Sequence, residues 1–292
     1  MLLRYLFTLI ISTAVGVAGG FGLSSLDTQT WKATAEFEPP KVSTLGNYYT
    51  LFSTYTFLNG GDGVSYNVIA DDKGSLSLAP EIGRKAEDSA TLGSYNEFKR
   101  NLISTDVLVE FLTQTETVKL KAQLTHQPIV MTAQSLAEQF VFQAATKTQP
   151  FDSLSVRSAN PEEAYKLLND FIAFANQQTK QTLNAELVAK WKNLFQQIKS
   201  AADIKLGAIQ QGNQIATQDW NGKLNLMRSV RPLDDQLTAF RFVKTPSVPL
   251  TPDTPNPTLW MMIGALAGLL LGMVIVSTMG LLRKKPADAE QN

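Results

Sequence analysis

The stretch TPSVPLTPDTPNPTLWMMIGALAGLLLGMVIV, residues 245–276, sets two ladders end to end. Prolines stand three residues apart at Pro246, Pro249, Pro252 and Pro255, with Pro257 just behind. The chain then turns apolar and carries Gly264, Gly268 and Gly272, four residues apart. Three residues make one turn of a polyproline II helix, so the first four prolines share one face of a semi-rigid strut rising ~3.1 Å per residue. Glycines at every fourth residue share one face of an α-helix and form a groove where another backbone can approach closely.

That helix reads as a membrane span. Residues 259–282 hold no charge and, at ~1.5 Å per residue, reach roughly 36 Å, enough to cross a hydrocarbon core of about 30 Å with some tilt. Trp260 suits the headgroup level, and Arg283, Lys284 and Lys285 mark a cytoplasmic exit. At the other end, MLLRYLFTLIISTAVGVAGGFGLSSLDTQ has no charge between Arg4 and Asp27. Its length, with Gly16 and Gly20 as a small-xxx-small face, favours an uncleaved span over residues 5–25. A cleavable signal peptide is the alternative, given the basic start and the small residues around Ala18. Either way, Arg4 and the cluster at 283–285 hold residues 1–4 and 283–292 in the cytoplasm and place residues 26–258 outside it.

Composition narrows the rest. The chain has 292 residues, 26 basic and 26 acidic, one histidine and no cysteine. Zero net charge argues against a nucleic-acid partner, which demands a basic footprint. Without cysteine there is no disulfide, thiol nucleophile or thiolate metal site.

The middle reads as α+β. In TWKATAEFE, Trp31, Ala33, Ala35 and Phe37 alternate with polar residues, a half-buried strand ended by Pro39-Pro40. FDSLSVRS, with Leu154 and Val156, and TAFRFVKT, with Phe240 and Phe242, offer two more. We therefore expect a small membrane-proximal sheet from about 28–58, 150–158 and 236–245, with the proline strut over 246–257. Helical arms fall at about 94–148 and 161–229. The first is interrupted near Ser104, and MTAQSLAEQFVFQAATK reads as a shorter helix within it. The second opens with Asn160 as cap, Pro161 in the first turn, and Glu162 and Glu163 at the positive dipole end. Its apolar stripe runs without proline or glycine to Gly207, which predicts one protruding helix roughly 70 Å long. Gly207 and Gly212 would bend it, and QDWNGKLNLMRS begins a descending arm. Residues 58–83, rich in glycine, read as loop.

These residues resemble a family, the Wzz-type polysaccharide chain-length determinants. WKATAEFEPPKVSTLGNYY is similar to the strand after that family's first span, PEEAYKLLNDFIAFANQQT to the start of its long helix, and FRFVKTPSVPLTPDTPNPTLWMMIGALAGLLLG to its proline-rich approach to a glycine-packed second span. The wording is closest to the branch that handles enterobacterial common antigen, with the O-antigen branch the alternative. The resemblance is weak over about 58–94 and beyond Gly207, the cytoplasmic start is almost absent, and the chain is shorter than most relatives. It implies a two-pass inner-membrane protein with a large periplasmic domain, forming a ring-like homo-oligomer. The family acts beside a Wzy-type polymerase to set the modal repeat number of a lipid-linked polysaccharide. On that view the glycine groove receives the first span, a neighbouring subunit or the polymerase.

No enzyme is expected, and neither metal nor cofactor. His126 stands alone beside a proline. The pairs Asp71-Asp72, Glu162-Glu163 and Asp234-Asp235 are adjacent in sequence, so their side chains diverge; the last reads as a turn after Pro232. No phosphate-cradling GxxxxGK[ST] occurs. The tail after Leu282 is too short for the kinase of capsule-type co-polymerases. Aromatic residues at helical spacing on the long helix read as core or interface. Two other functions remain: an extracytoplasmic sensor, disfavoured by the short tail, and an export adaptor, disfavoured by the second span.

Overall fold

The computed structural model describes residues 2–26, 28–59, 66–70, 76–80, 82–204, 206, 209–211, 214–216 and 219–282. They fall into two compact units, unit 1 from residues 1–33, 156–166 and 247–292, and unit 2 from residues 34–155 and 167–246.

Most of the four-stranded sheet belongs to unit 2. Its strands are β1 (Trp31–Glu38), β4 (Phe140–Gln143), β5 (Asp152–Ser158) and β8 (Arg241–Lys244), in the order β4-β5-β1-β8. Along β1, Ala33, Ala35 and Phe37 are buried while Lys32, Thr34, Glu36 and Glu38 are half-buried, the alternation its sequence requires. β8 lies antiparallel with Phe37 opposite Phe242, and a bulge shifts the register between Glu36 and Phe37. The fourth strand, β4, falls where a helix through 131–147 was expected. Helix α6 (Ile129–Ala137) stops first, and FVFQ follows as a strand. So short an apolar run has no period long enough to separate helix from strand.

Residues 28–58 are not all sheet base. After a 3-10 turn at Val42–Thr44 comes α2 (Asn47–Leu58). Its cap is remote: the Asn47 N–H donates to Asp234 Oδ2 at 3.2 Å, across 187 residues, and Gly46 enters at φ 57° with no room for a Cβ beside that carboxylate. The Asn47 side chain also donates to the Pro232 carbonyl at 2.9 Å. Asp234 is thus a helix cap set in the expected turn.

Residues 58–83, expected as loop, contain an antiparallel pair, β2 (Tyr66–Ala70) with β3 (Leu76–Pro80); residues 60–65, 71–75 and 81, Asp71-Asp72 among them, lie outside the described set. The first arm begins earlier than expected and breaks twice, into α3 (Ile82–Ile103), α4 (Thr105–Gln114) and α5 (Glu116–Thr125). Ser104 accepts from the Val107 N–H at 3.3 Å and Thr115 from the Val118 N–H at 3.4 Å, so each break is a hydroxyl N-cap. His126, in the left-handed region at φ 52°, closes α5.

The long helix is α7 (Pro161–Asp203), 43 residues and about 65 Å. Asn160 Oδ1 accepts from the N–H of Glu162 at 2.8 Å and of Glu163 at 3.4 Å. Beyond it come the short pair β6 (Ile209–Gln211) and β7 (Gln214–Ala216), then α8 (Trp220–Ser229). Gly207 and Gly212 lie outside the described residues. Among the described residues of unit 2, aromatic rings and an apolar cluster along α7 fill the interior. Phe98 stacks on Phe240 at 4.4 Å between centroids, with Phe37 edge-on to both. Phe111 meets Phe171 and Phe174 at 5.4 and 5.6 Å. Farther along α7, Leu194 and Ile198 bury with Leu58, Leu224 and Met227.

Candidate functional site

Two helices dominate unit 1, α1 (Leu2–Ser24) and α9 (Pro257–Leu282). Both are long and apolar enough to cross a membrane. Asn256 Oδ1 caps α9, accepting from the Thr258 N–H at 3.1 Å. Their apolar side chains point outward, with Phe7 66%, Met262 67% and Leu266 66% exposed. A core helix of a water-soluble domain would bury such residues; a helix in lipid need not.

The helices meet through their glycines. A Cβ on Gly16 would overlap the Gly264 carbonyl oxygen and sit 2.9 Å from Gly268 Cα. One on Gly20 would overlap the Trp260 carbonyl oxygen, and one on Gly268 the Ser12 carbonyl oxygen. Gly264 returns the contact against the Gly16 carbonyl. Gly272 differs, because its Cβ would strike the Ser12 side chain rather than backbone. Contacts of residue 12 with 268 and 272, 16 with 264 and 268, and 20 with 260 and 264 require the helices to be antiparallel. All five glycines singled out in the sequence therefore lie on one seam within one chain, and the partner received by the groove is the first helix. Lipid tails are as apolar as leucine, so such helices associate through backbone proximity rather than side-chain burial.

Beside the seam runs a groove of ≈ 600 Å³, lined among others by Phe7, Ile11, Val15, Gly19, Ile263 and Leu271. Gly19 differs from its neighbours: a Cβ there meets nothing within 4 Å. The Ser12 and Thr13 hydroxyls both bond back to the Leu9 carbonyl, at 3.0 and 2.8 Å. Of the topology residues, Arg4 occupies the first turn of α1, while Arg283, Lys284 and Lys285 lie outside the described residues.

The proline run is not a straight strut. It bends at Leu250–Thr251 and again at Asp253, and the Thr254–Pro255 peptide is cis. It also bridges to residues ahead of β1: the Asp253 N–H donates to the Thr30 carbonyl at 2.8 Å, and the Thr30 N–H to the Thr254 carbonyl at 3.0 Å. Polyproline II satisfies none of its own backbone groups, which leaves them open to such pairing. Pro246, Pro249 and Pro252 lie in the lead-in to the bridge, Pro255 follows it, and Pro257 starts α9.

Sequence reasoning missed one buried polar cluster. Asp152, 6% exposed, accepts from the Tyr95 hydroxyl at 2.7 Å and the Ala145 N–H at 2.8 Å, and lies 3.5 Å from Lys99 Nζ. Burial first, then the hydrogen bond to Asp152 and the charges of Asp152 and Glu38, push the Tyr95 hydroxyl well above its ordinary pKa. The cluster pins the start of β5 to α3. Tyr95 and Asp152 are 57 residues apart, so no local pattern reveals the pairing. Among the described residues no group of three or more histidine or carboxylate side chains is gathered to hold a metal ion.

No family model matches the chain. Over 119 residues, 41% of this chain and 96% of the relative, it is 37% identical to an uncharacterised protein of Haemophilus influenzae. Over 86% of this chain and 84% of the relative, it is 23% identical to proteins of Escherichia coli K12 and Shigella flexneri named ECA polysaccharide chain length modulation protein. A full-length bacterial polysaccharide co-polymerase superposes with a TM-score of 0.59 at 16% identity, covering 98% of this chain and 97% of that one. A fragment of WzzB, the polysaccharide co-polymerase of Salmonella Typhimurium, gives 0.50 at 15% identity, covering 78% and 100%. In sequence the chain is thus similar over most of its length to proteins named for ECA chain length modulation, and in fold it is similar over nearly all of its length to a polysaccharide co-polymerase.

Proposed function

We propose that this protein is a non-catalytic regulator of the modal chain length of a lipid-linked surface polysaccharide, either enterobacterial common antigen or lipopolysaccharide O-antigen. It acts as an oligomeric scaffold in the inner membrane beside a Wzy-type polymerase. One observation carries the reading: the co-polymerase fold extends over 98% of the chain, the apolar helix pair included, in a chain whose relatives are named for chain length modulation. The antiparallel seam supports a two-pass topology, because it brings the start of α1 and the end of α9 to one side. Arg4 opens α1 and the basic residues at 283–285 follow α9 in sequence, which supports cytoplasmic termini and a periplasmic location for residues 26–258.

Exposed apolar side chains on α5 and α6 support self-association. Leu124 is 82% exposed, and Leu120, Val130 and Met131 are also exposed in the single chain. The domains follow: residues 5–25 and 259–282 in the bilayer, 1–4 and 283–292 in the cytoplasm, and a sheet base with helical arms between the spans. Deleting the gene decides the reading. Surface polysaccharide on a gel remains present but spreads into a featureless ladder; complete loss of polymer would identify an enzyme and overturn the scaffold.

A further inference from the structure

Unit 1 gathers three distant pieces of chain, and one small cluster joins all three. Thr30 lies between α1 and β1, Arg157 on β5 just ahead of α7, and Asp253 and Thr254 just ahead of α9. Arg157 Nε donates to Asp253 Oδ2 at 2.8 Å. The Asp253 N–H donates to the Thr30 carbonyl at 2.8 Å, the Thr254 N–H reaches the same carbonyl at 3.4 Å, and the Thr30 and Thr254 hydroxyls touch. From Arg157 the chain runs directly into the α7 cap, where the Ser158 hydroxyl donates to Glu163 and Asn160 holds the first N–H groups. From Thr254 it runs into the Asn256 cap of α9. The root of the long helix and the root of the second apolar helix are therefore two capped ends joined directly by one ion pair, with a two-residue bridge tying the second root to Thr30.

We propose that Thr30, Arg157, Asp253 and Thr254 form a latch that sets the position of the α9 root relative to the α7 root, and that length control depends on it. This rests on the chain-length reading above. The ion pair is the adjustable part. Arg157 and Asp253 are 41% and 31% exposed, so the pair adds little to the stability of the fold, and salt screens it. Four backbone and hydroxyl contacts hold Asp253 and Thr254 on Thr30, which reaches the β5–α7 segment only indirectly, through β1 beside β5 in the sheet, whereas the Arg157–Asp253 pair ties Asp253 to that segment directly. Reversing one charge removes that link and sets two like charges face to face, while the caps and the glycine seam keep their partners. The residues act by positioning, and no chemistry is assigned to them.

The test uses the full chain in a strain lacking its own copy. Asp253→Arg and Arg157→Asp are each expected at normal abundance in the membrane fraction, with loss or displacement of the modal polysaccharide band; the double reversal restores the band. Normal banding in both single variants overturns the latch, and so does a double reversal as defective as the singles. A second readout is independent of polysaccharide. The chain has no cysteine, so spin labels at Lys166→Cys and Thr258→Cys report the distance between the two roots in purified protein. That distance distribution broadens in Asp253→Arg and narrows again in the double reversal; an unchanged distribution overturns the latch. If the unmutated gene fails to restore a modal band, the chain-length reading fails instead, and the distance measurement still decides the latch.

Discussion

Unit 1 and unit 2 hold their helices by opposite means. Where α3 meets the sheet, Phe98, Phe240 and Phe37 fill the space with rings, and all three are buried. Where α1 meets α9, backbone carbonyl oxygens face Gly16, Gly20, Gly264 and Gly268, and the small Ser12 side chain faces Gly272. The difference follows from the surroundings each requires. In water, burying apolar area drives association, so larger rings hold more tightly. In lipid that drive disappears, and close backbone approach is what remains. Adding bulk should therefore harm one region, and removing it the other.

The largest expected effect is in the aromatic cluster. Phe98→Ala removes the ring stacked on Phe240 and touching Phe37, at a cost of about 3–5 kcal/mol. Urea unfolding of the full chain in detergent, followed by tryptophan fluorescence, measures it. Leu266→Ala on the outward face of α9 should leave the midpoint nearly unchanged; equal losses would erase the contrast between the units.

Bulk in the seam comes next. Gly264→Leu drives a side chain into the Gly16 backbone, and overpacking of this kind costs about 1–3 kcal/mol. A cysteine pair at Ser12 and Gly272, whose contact depends on the seam, should crosslink readily in the parent and poorly with Gly264→Leu. Gly268→Leu should behave alike. Gly272→Leu, in a chain without the cysteine pair, should disturb membrane abundance least of the three, because it meets a side chain able to move. Gly19→Leu, beside open space, should crosslink like the parent, and failure there would mean that hydrophobic size rather than the seam governs pairing.

Smaller again is a pH effect confined to unit 2. Burial, with the charge of Glu186 second, pushes the Tyr48 hydroxyl from 10.0 up to about 12. The folded chain keeps this proton after the unfolded chain has released it. The contribution is whole below pH 10, falls between pH 10 and about 12, and is gone above. Unfolding midpoints measured across that interval should decline less steeply in Tyr48→Phe. Part of the slope should persist, because burial also raises Tyr49 and Tyr95.

What could be read in advance divides along physical lines. Period and composition suffice where an element is long or its surroundings uniform. The two apolar helices, the alternation of β1 and the uninterrupted α7 with its Asn160 cap were legible for that reason, and so were the spacings of Gly16 with Gly20 and of Gly264, Gly268 and Gly272, though not what either set faces. Short or remotely supported elements were not. Four residues of β4 carry too little pattern, and the pair β2 and β3 consists of strands of five. Helix α2 takes its cap from Asp234, and Asp152 gathers Tyr95, Lys99 and Ala145 from other elements.

The proline and glycine ladders show both halves of this division. Sequence alone determined that the glycines share a face and that prolines precede the helix, because both are matters of local repeat. Tertiary structure decided that the glycine partner is α1 of the same chain, which depends on how antiparallel backbones meet at residues 16 and 264. It also decided that the proline run bends and bridges to Thr30. A repeat states which groups face the same way, whereas the partner they face is set by contacts more than 200 residues apart in sequence.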